Sequence, residues 1–267
     1  MTNASKLPKA PAAHRWYFWV SWALVFLLIG WSFTGMPSFS LKANAVVVAK
    51  SMGNGIIHPD WSYVWTGDGE DLTSSLLQTL GIAFLGTFIS AIISLPFAFW
   101  AAHTKNKFWL TSRSGKFVLT AIRTFPEIVM ALMFIKAVGP GSFAGVLAVG
   151  FHSVGMLAKL FSEAIENMDG GAGESVTAAG GTRLAVTILA SLPQLLPEFV
   201  SNTLYRFELA IRSASILGMV GAGGVGTPLI FAIQTRYWSR VGIILIGIII
   251  MVTIVDWLSG TLRKRLV

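Results

Sequence analysis

Six stretches of this chain are each long and apolar enough to cross a lipid bilayer, and no other feature restricts its fold as strongly. A helix spanning the hydrocarbon core needs about 20 apolar residues, each rising about 1.5 Å. The qualifying stretches run over 16–34, 72–102, 117–138, 143–161, 195–220 and 241–258. The second has room for an interfacial turn, and the third and fifth contain charges. Of 267 residues, 54% are hydrophobic and 12% charged, whereas soluble domains carry about 25% charged residues. The expected fold is an all-α integral membrane protein of about six transmembrane helices.

The net charge of +8 is gathered between the apolar stretches, unlike the basic face of a nucleic-acid-binding domain. Lys6, Lys9 and Arg15 precede the first span; Lys105, Lys107, Arg113 and Lys116 follow the second; Arg263, Lys264 and Arg265 follow the last. Residues 36–71 carry Lys42 and Lys50 against Asp60, Asp68, Glu70 and Asp71. The positive-inside rule then puts both termini and the 103–116 loop in the cytoplasm of a cell inner membrane. The chain divides into a tail (1–15), a first helix with an external segment (16–71), a core (72–260) and a basic end (261–267). Ala43-Asn44-Ala45 lies too far past the first apolar run for a signal-peptide cleavage site, so an uncleaved anchor is expected. Trp16, Trp19, Trp61, Tyr63 and Trp65 sit near span boundaries and read as a headgroup belt.

Catalytic patterns are absent. The chain has no cysteine, and its four histidines lack metal-ligand spacing. Neither a P-loop nor a G-x-S-x-G elbow occurs. Gly221-Ala222-Gly223-Gly224-Val225-Gly226 matches the dinucleotide fingerprint, but an apolar helix stands where a strand is required. Gly221, Gly223, Gly224 and Gly226 serve better as a helix break near one membrane face, with Pro228 opening the next helical piece. A plain external loop is the alternative. No enzyme, metal site or cofactor of its own is expected.

Residues 163–193 are too polar to span and too patterned for a linker. Glu174 to Ala178 reads as a short helix stopped at Gly180-Gly181. Thr182 then caps a second helix running to Leu192-Pro193.

Charges inside spans cost at least about 2.5–3.5 kcal/mol each and need a reason. Arg123 and Glu127 stand at i,i+4 around Pro126, Glu208 and Arg212 likewise, with Arg206 and His152 on neighbouring stretches. One reading has the two i,i+4 pairs neutralise each other and hold helices together, with His152 as a helix–helix contact. The other uses Arg206, which has no acid at i±3 or i±4 and lies about 120° from Arg212 on the helical wheel. One arginine would then line a cavity and suit an anion with several oxygens.

The spacing of Glu174, Gly180 and Leu192-Pro193 resembles the cytoplasmic EAA motif of ABC importer permeases, with Ser175-Val176 and Ala190 departing from it. Glu163-Ala164-Ile165 is a second, poorer match to the motif's opening. Leu204-Tyr205-Arg206-Phe207-Glu208, Arg212-Ser213-Ala214 and Gly218 to Gly224 are similar to the phosphonate ABC transporter permease family. Arg123, Glu127, His152 with Gly145-Val146-Leu147-Ala148, and the closing Leu262-Arg263-Lys264 fit as well. The resemblance covers roughly 72–267. It implies a type I importer permease fold whose coupling helix, with Glu163, Glu174, Ala178, Gly180, Gly181, Leu192 and Pro193, meets an ATPase. It further implies a homodimer, two cytoplasmic ATPases that hold ATP and magnesium, and an external phosphonate-binding protein. The cargo would be phosphonates, phosphite or phosphate esters moved by alternating access, with Arg123, Glu127, His152, Arg206, Glu208 and Arg212 as pathway candidates. Alternatives are an ABC permease for methionine or phosphate, or an ion-coupled secondary transporter.

Overall fold

The computed structural model describes residues 12–35, 45–67, 69–103 and 109–265. Lys6, Lys9, Lys42, Asp68, Lys105 and Lys107, which bear on orientation, lie outside the described residues. Among the described residues there is no strand.

The chain falls into two units, divided between Ala49 and Lys50. The first contains helix α1 (Ala12–Thr34), whose apolar side chains are exposed on every face, as a lipid-embedded helix requires. Helix α2 (Ala45–Ile57) begins in this unit and ends in the second. It falls in a stretch expected to be only an external segment.

The second unit is a helical bundle. Its longest helix, α3 (Leu72–Ala101), starts at Asp71, whose carboxylate accepts a hydrogen bond from the Ser74 N–H at 2.8 Å. After α3 come α4 (Trp109–Thr124) and α5 (Glu127–Val138), bent by 79° at the break between them. Pro126 causes the break: it has no N–H to continue the ladder, and its ring drives Phe125 out of the helical region. The expected third span is therefore an elbow. Among the described residues, five helices are long and apolar enough to cross a membrane, and the elbow makes up to six.

Helix α6 (Ser142–Asn167) packs along α3 at the centre, and small residues allow the close approach. The Ser90 hydroxyl donates to the Gly150 carbonyl at 2.7 Å and that of Ser94 to Val154 at 3.2 Å, so each serine is satisfied inside the bundle. Helix α7 (Gly171–Ala178) follows, then α8 (Arg183–Val186), a π turn (Thr187–Ser191) and α9 (Leu192–Leu217). Residues Arg183–Val220 form one 38-residue span. Sequence reasoning ended the second hairpin helix at Leu192-Pro193; in fact the helix runs through. The π turn makes this possible, because the Leu192 N–H reaches back to the Thr187 carbonyl and Pro193 begins a fresh turn where its missing N–H is no loss. Helix α10 (Gly226–Gln234) and the final α11 (Trp238–Arg263) complete the unit.

Candidate functional site

The charged side chains of α5, α9 and α11 pair across helices, not along them. Arg206 of α9 is 3% exposed. Its Nε donates to Ser153 Oγ on α6 at 2.8 Å, and its Nη2 donates to Glu127 Oε1 on α5 at 3.1 Å. Because the break at Pro126 places Glu127 in the first turn of α5, its carboxylate also meets the positive end of that helix. The expected Arg123–Glu127 pair does not form; the elbow separates the two residues, and Arg123 is exposed. Nor does Glu208–Arg212: Glu208 accepts from Arg263 at 2.5 Å, and Arg212 pairs with Asp256. Both partners lie on α11, which packs against α9. Arg206 is thus not the free arginine of a pore but the middle of a three-helix clamp. His152 adjoins the clamp residue Ser153 in sequence, and its buried Nδ1 has no hydrogen-bond partner among the described residues.

At one end of the bundle, α9 passes through a single 3-10 turn (Gly218–Val220) into the glycine loop. Gly221, Gly223 and Gly224 all have positive φ. Three hydrogen bonds clamp the loop, one from Gly141 and two to α3: Gly141 N–H to the Gly221 carbonyl at 2.9 Å, Gly224 N–H to Gln78 Oε1 at 2.8 Å, and Val225 N–H to Thr79 Oγ1 at 2.8 Å. A Cβ at Gly224, with φ of +77°, would sit 2.6 Å from Thr79 Oγ1, so only glycine fits. Gly226, expected within the break, is instead the first residue of α10, and Pro228, expected to open that helix, stands in its first turn.

Beside this loop lies a cavity of about 1050 Å³ lined by residues including Tyr63, Ser75, Gln78, Thr227, Tyr237 and Arg240. Sequence reasoning missed Arg240. Its guanidinium lies 4.5 Å from the Tyr63 ring centre and 5.0 Å from that of Tyr237, and it forms no ion pair with a described acid. Tyr63 is 7% exposed, so it is not the headgroup anchor expected of it, and burial pushes its phenol up and keeps it neutral. Asp60 fixes the same corner: it accepts from Ser62 Oγ at 2.5 Å and Tyr237 Oη at 3.1 Å, and the Ser62 bond leads in holding its carboxyl below the ordinary range.

The opposite end carries the hairpin read from residues 163–193. Helix α7 has no buried residue. It ends in a double stop, with Gly181 N–H bonded to the Val176 carbonyl at 2.9 Å and Gly180 N–H to Thr177 at 3.0 Å, across Gly180 at φ +83°. Thr182 then caps α8, accepting from the Ala185 N–H at 3.3 Å. Glu174 and Ala178 stand exposed on α7. Glu163 lies elsewhere, on α6, paired with Lys159 at 3.4 Å.

Residues 94–267 match the family model described as binding-protein-dependent transport system inner membrane component. The chain belongs to this family. As such an inner membrane component it is a multi-pass transport subunit, and its hairpin and glycine loop both fall inside the matched region. It is 37% identical over 241 residues to the phosphite transport system permease protein PtxC of Stutzerimonas stutzeri, covering 90% of this chain and 86% of that one. It is 36% identical to the phosphate-import permease protein PhnE of Mycolicibacterium smegmatis over 74% of this chain, which spans only 37% of that relative. Among solved structures, an inward-facing MetNI methionine ABC transporter chain superposes with a TM-score of 0.65 at 18% identity, over 72% of this chain and 94% of that one. The likeness establishes the type I importer permease fold that the family resemblance implied.

Two partners in the ion network had a signal in the sequence that went unused. Asp256 is a lone acid in an apolar run, itself a flag. Arg263 reads in the sequence as part of the basic tail, yet it is the last residue of α11.

Proposed function

We propose that this chain is the membrane-spanning permease subunit of an ATP-driven importer for phosphorus oxyanions, phosphite or phosphonates among them. Two copies would line the pathway, two cytoplasmic ATPases would hold ATP and magnesium, and an external binding protein would deliver the anion. Both termini and α7 would face the cytoplasm, and the glycine loop with its cavity would face outward.

The observation that carries this reading is the span Arg183–Val220, which joins the exposed hairpin to the glycine loop in one piece of helix. At about 1.5 Å per residue it is roughly 57 Å long, enough to reach across the bilayer. Docked on an ATPase, α7 and its fixed glycine turn would pass movement into this rod. The Arg206 clamp would carry it sideways into α5 and α6, and the loop at the far end would open or close the cavity. The intramembrane charges, Arg123, Glu127, His152, Arg206, Glu208 and Arg212, then divide in role. Arg206, Glu127, Glu208 and Arg212 act mainly as helix ties. The cavity arginine, Arg240, is better placed to meet an incoming anion. The cargo is inferred from the phosphite and phosphate relatives, and Arg240, which forms no ion pair with a described acid, lines the cavity beside Glu70 as a cation for it.

The test is reconstitution with the partner ATPase and binding protein in proteoliposomes. ATP-dependent uptake of phosphite or a phosphonate is expected. Uptake of methionine with no response to phosphorus anions would refute the cargo, and uptake without any ATPase would refute the mechanism.

A further inference from the structure

The α7 end of the bundle holds a second cavity, about 650 Å³, lined by His103, Trp109, Ser112, Arg113, Lys116 and Glu166. Its depth in the bilayer follows from α3. That helix has 30 residues, about 45 Å of length, which exceeds the hydrocarbon core of about 30 Å and ends among the headgroups. His103 lies just past that end.

The site is rigidly built. Ser112 Oγ donates to the Ala101 carbonyl at 2.5 Å, and a Cβ on Gly115 would lie 2.8 Å from the Ala101 Cα, so α4 crosses the end of α3 in direct contact. Its one acid is already engaged: Glu166 pairs with Lys116 at 2.7 Å and accepts from the His103 N–H at 2.7 Å. Arg113 has no such partner; its guanidinium lies 4.5 Å from the centre of the Trp109 ring, and it forms no ion pair with a described acid. The site therefore keeps an uncompensated positive charge at headgroup depth.

Apolar surface adjoins that charge. At about 100° per residue, Lys116, Trp109 and Arg113 lie within roughly 60° of one another on α4, and Phe117 and Leu110 occupy the next 60° or so. Phe117 is 75% exposed and Leu110 60%. Ser112, Gly115 and Leu119 form the buried stripe against the bundle. Around the helix, the outer flank thus passes from Lys116, Trp109 and Arg113 to the apolar Phe117 and Leu110.

We infer that this flank is a binding site for an anionic phospholipid, with the phosphate group at Arg113 and Lys116, the indole of Trp109 at the interface and an acyl chain along Leu110 and Phe117. A soluble phosphate ion would meet the same two cations but would leave the aliphatic half of the flank bare. This inference is independent of what the protein transports.

The experiment is native mass spectrometry of the purified full-length protein in detergent, titrated with phosphatidylglycerol and phosphatidylcholine. The unmodified protein should prefer phosphatidylglycerol, and Arg113→Gln should cut that preference about fivefold, one surface cation's share. Lys136→Gln, a control at the opposite end of the bundle, should leave it intact. Arg113→Lys should keep most of it, which guards against a folding artefact. An unchanged preference in Arg113→Gln overturns the site. Displacement of the lipid by millimolar inorganic phosphate shows a free-anion site and overturns the lipid assignment.

Discussion

Removing Arg206 alone should damage this protein more than removing Arg206 and Glu127 together. The guanidinium has 4% side-chain exposure and the carboxylate 15%. Arg206→Met would strand the Glu127 carboxylate in the bundle and leave Ser153 Oγ without its donor. Breaking one side of a buried pair costs about 3–5 kcal/mol, whereas replacing both members with apolar groups of similar size is often neutral. For a unit of this size, 1 kcal/mol corresponds to about 2–4 °C in Tm, so Arg206→Met should lower Tm by roughly 6–20 °C. Adding Glu127→Met should restore much of that. Arg123→Gln, on an exposed side chain with no ion pair to a described acid, should change stability by less than about 0.5 kcal/mol. Thermal unfolding in detergent, followed by tryptophan fluorescence, measures all three. Coupling of Glu127 to Arg123 rather than to Arg206 would refute the cross-helix clamp and restore the local i,i+4 pair.

Three further outcomes follow from the geometry. Gly224→Ala should cost at least about 1–2 kcal/mol for the left-handed backbone alone, with more from Thr79, and should impair uptake; Gly81→Ala, in open space within α3, should raise Tm slightly instead. Gly180→Ala should strain the hairpin turn without any contact, because nothing lies within 4 Å of its added Cβ. Assembly with the ATPase should persist while stimulation of ATP hydrolysis by the loaded binding protein falls several-fold, as measured by phosphate release. Arg240→Gln should raise the external concentration needed for half-maximal uptake and largely spare the maximal rate, which initial-rate transport assays will separate.

The spans were legible because lipid demands runs of apolar residues, and residues 72–102 and 241–258 needed no other information. The hairpin was legible for a local reason: Gly180-Gly181 and Thr182 are stop and start signals whose hydrogen bonds close within a few residues. The ion pairs were not. Residues at i,i+4 look like partners in sequence, yet the elbow at Pro126 and the packing of α9 on α11 redirect Glu127, Glu208 and Arg212 to other helices. Arg240 was invisible for a related reason, since its setting comes from Tyr63, 177 positions earlier in the chain. Helix α2 was lost because residues 36–71 mix apolar and charged residues without a span's length.

The most direct test of the account is ATP-driven transport by the reconstituted complex, measured with radiolabelled phosphite inside proteoliposomes. Accumulation should need ATP, the binding protein and an intact glycine turn at Gly180. Accumulation that proceeds at the full rate without ATPase, or that ignores phosphorus anions while admitting another solute, would contradict it.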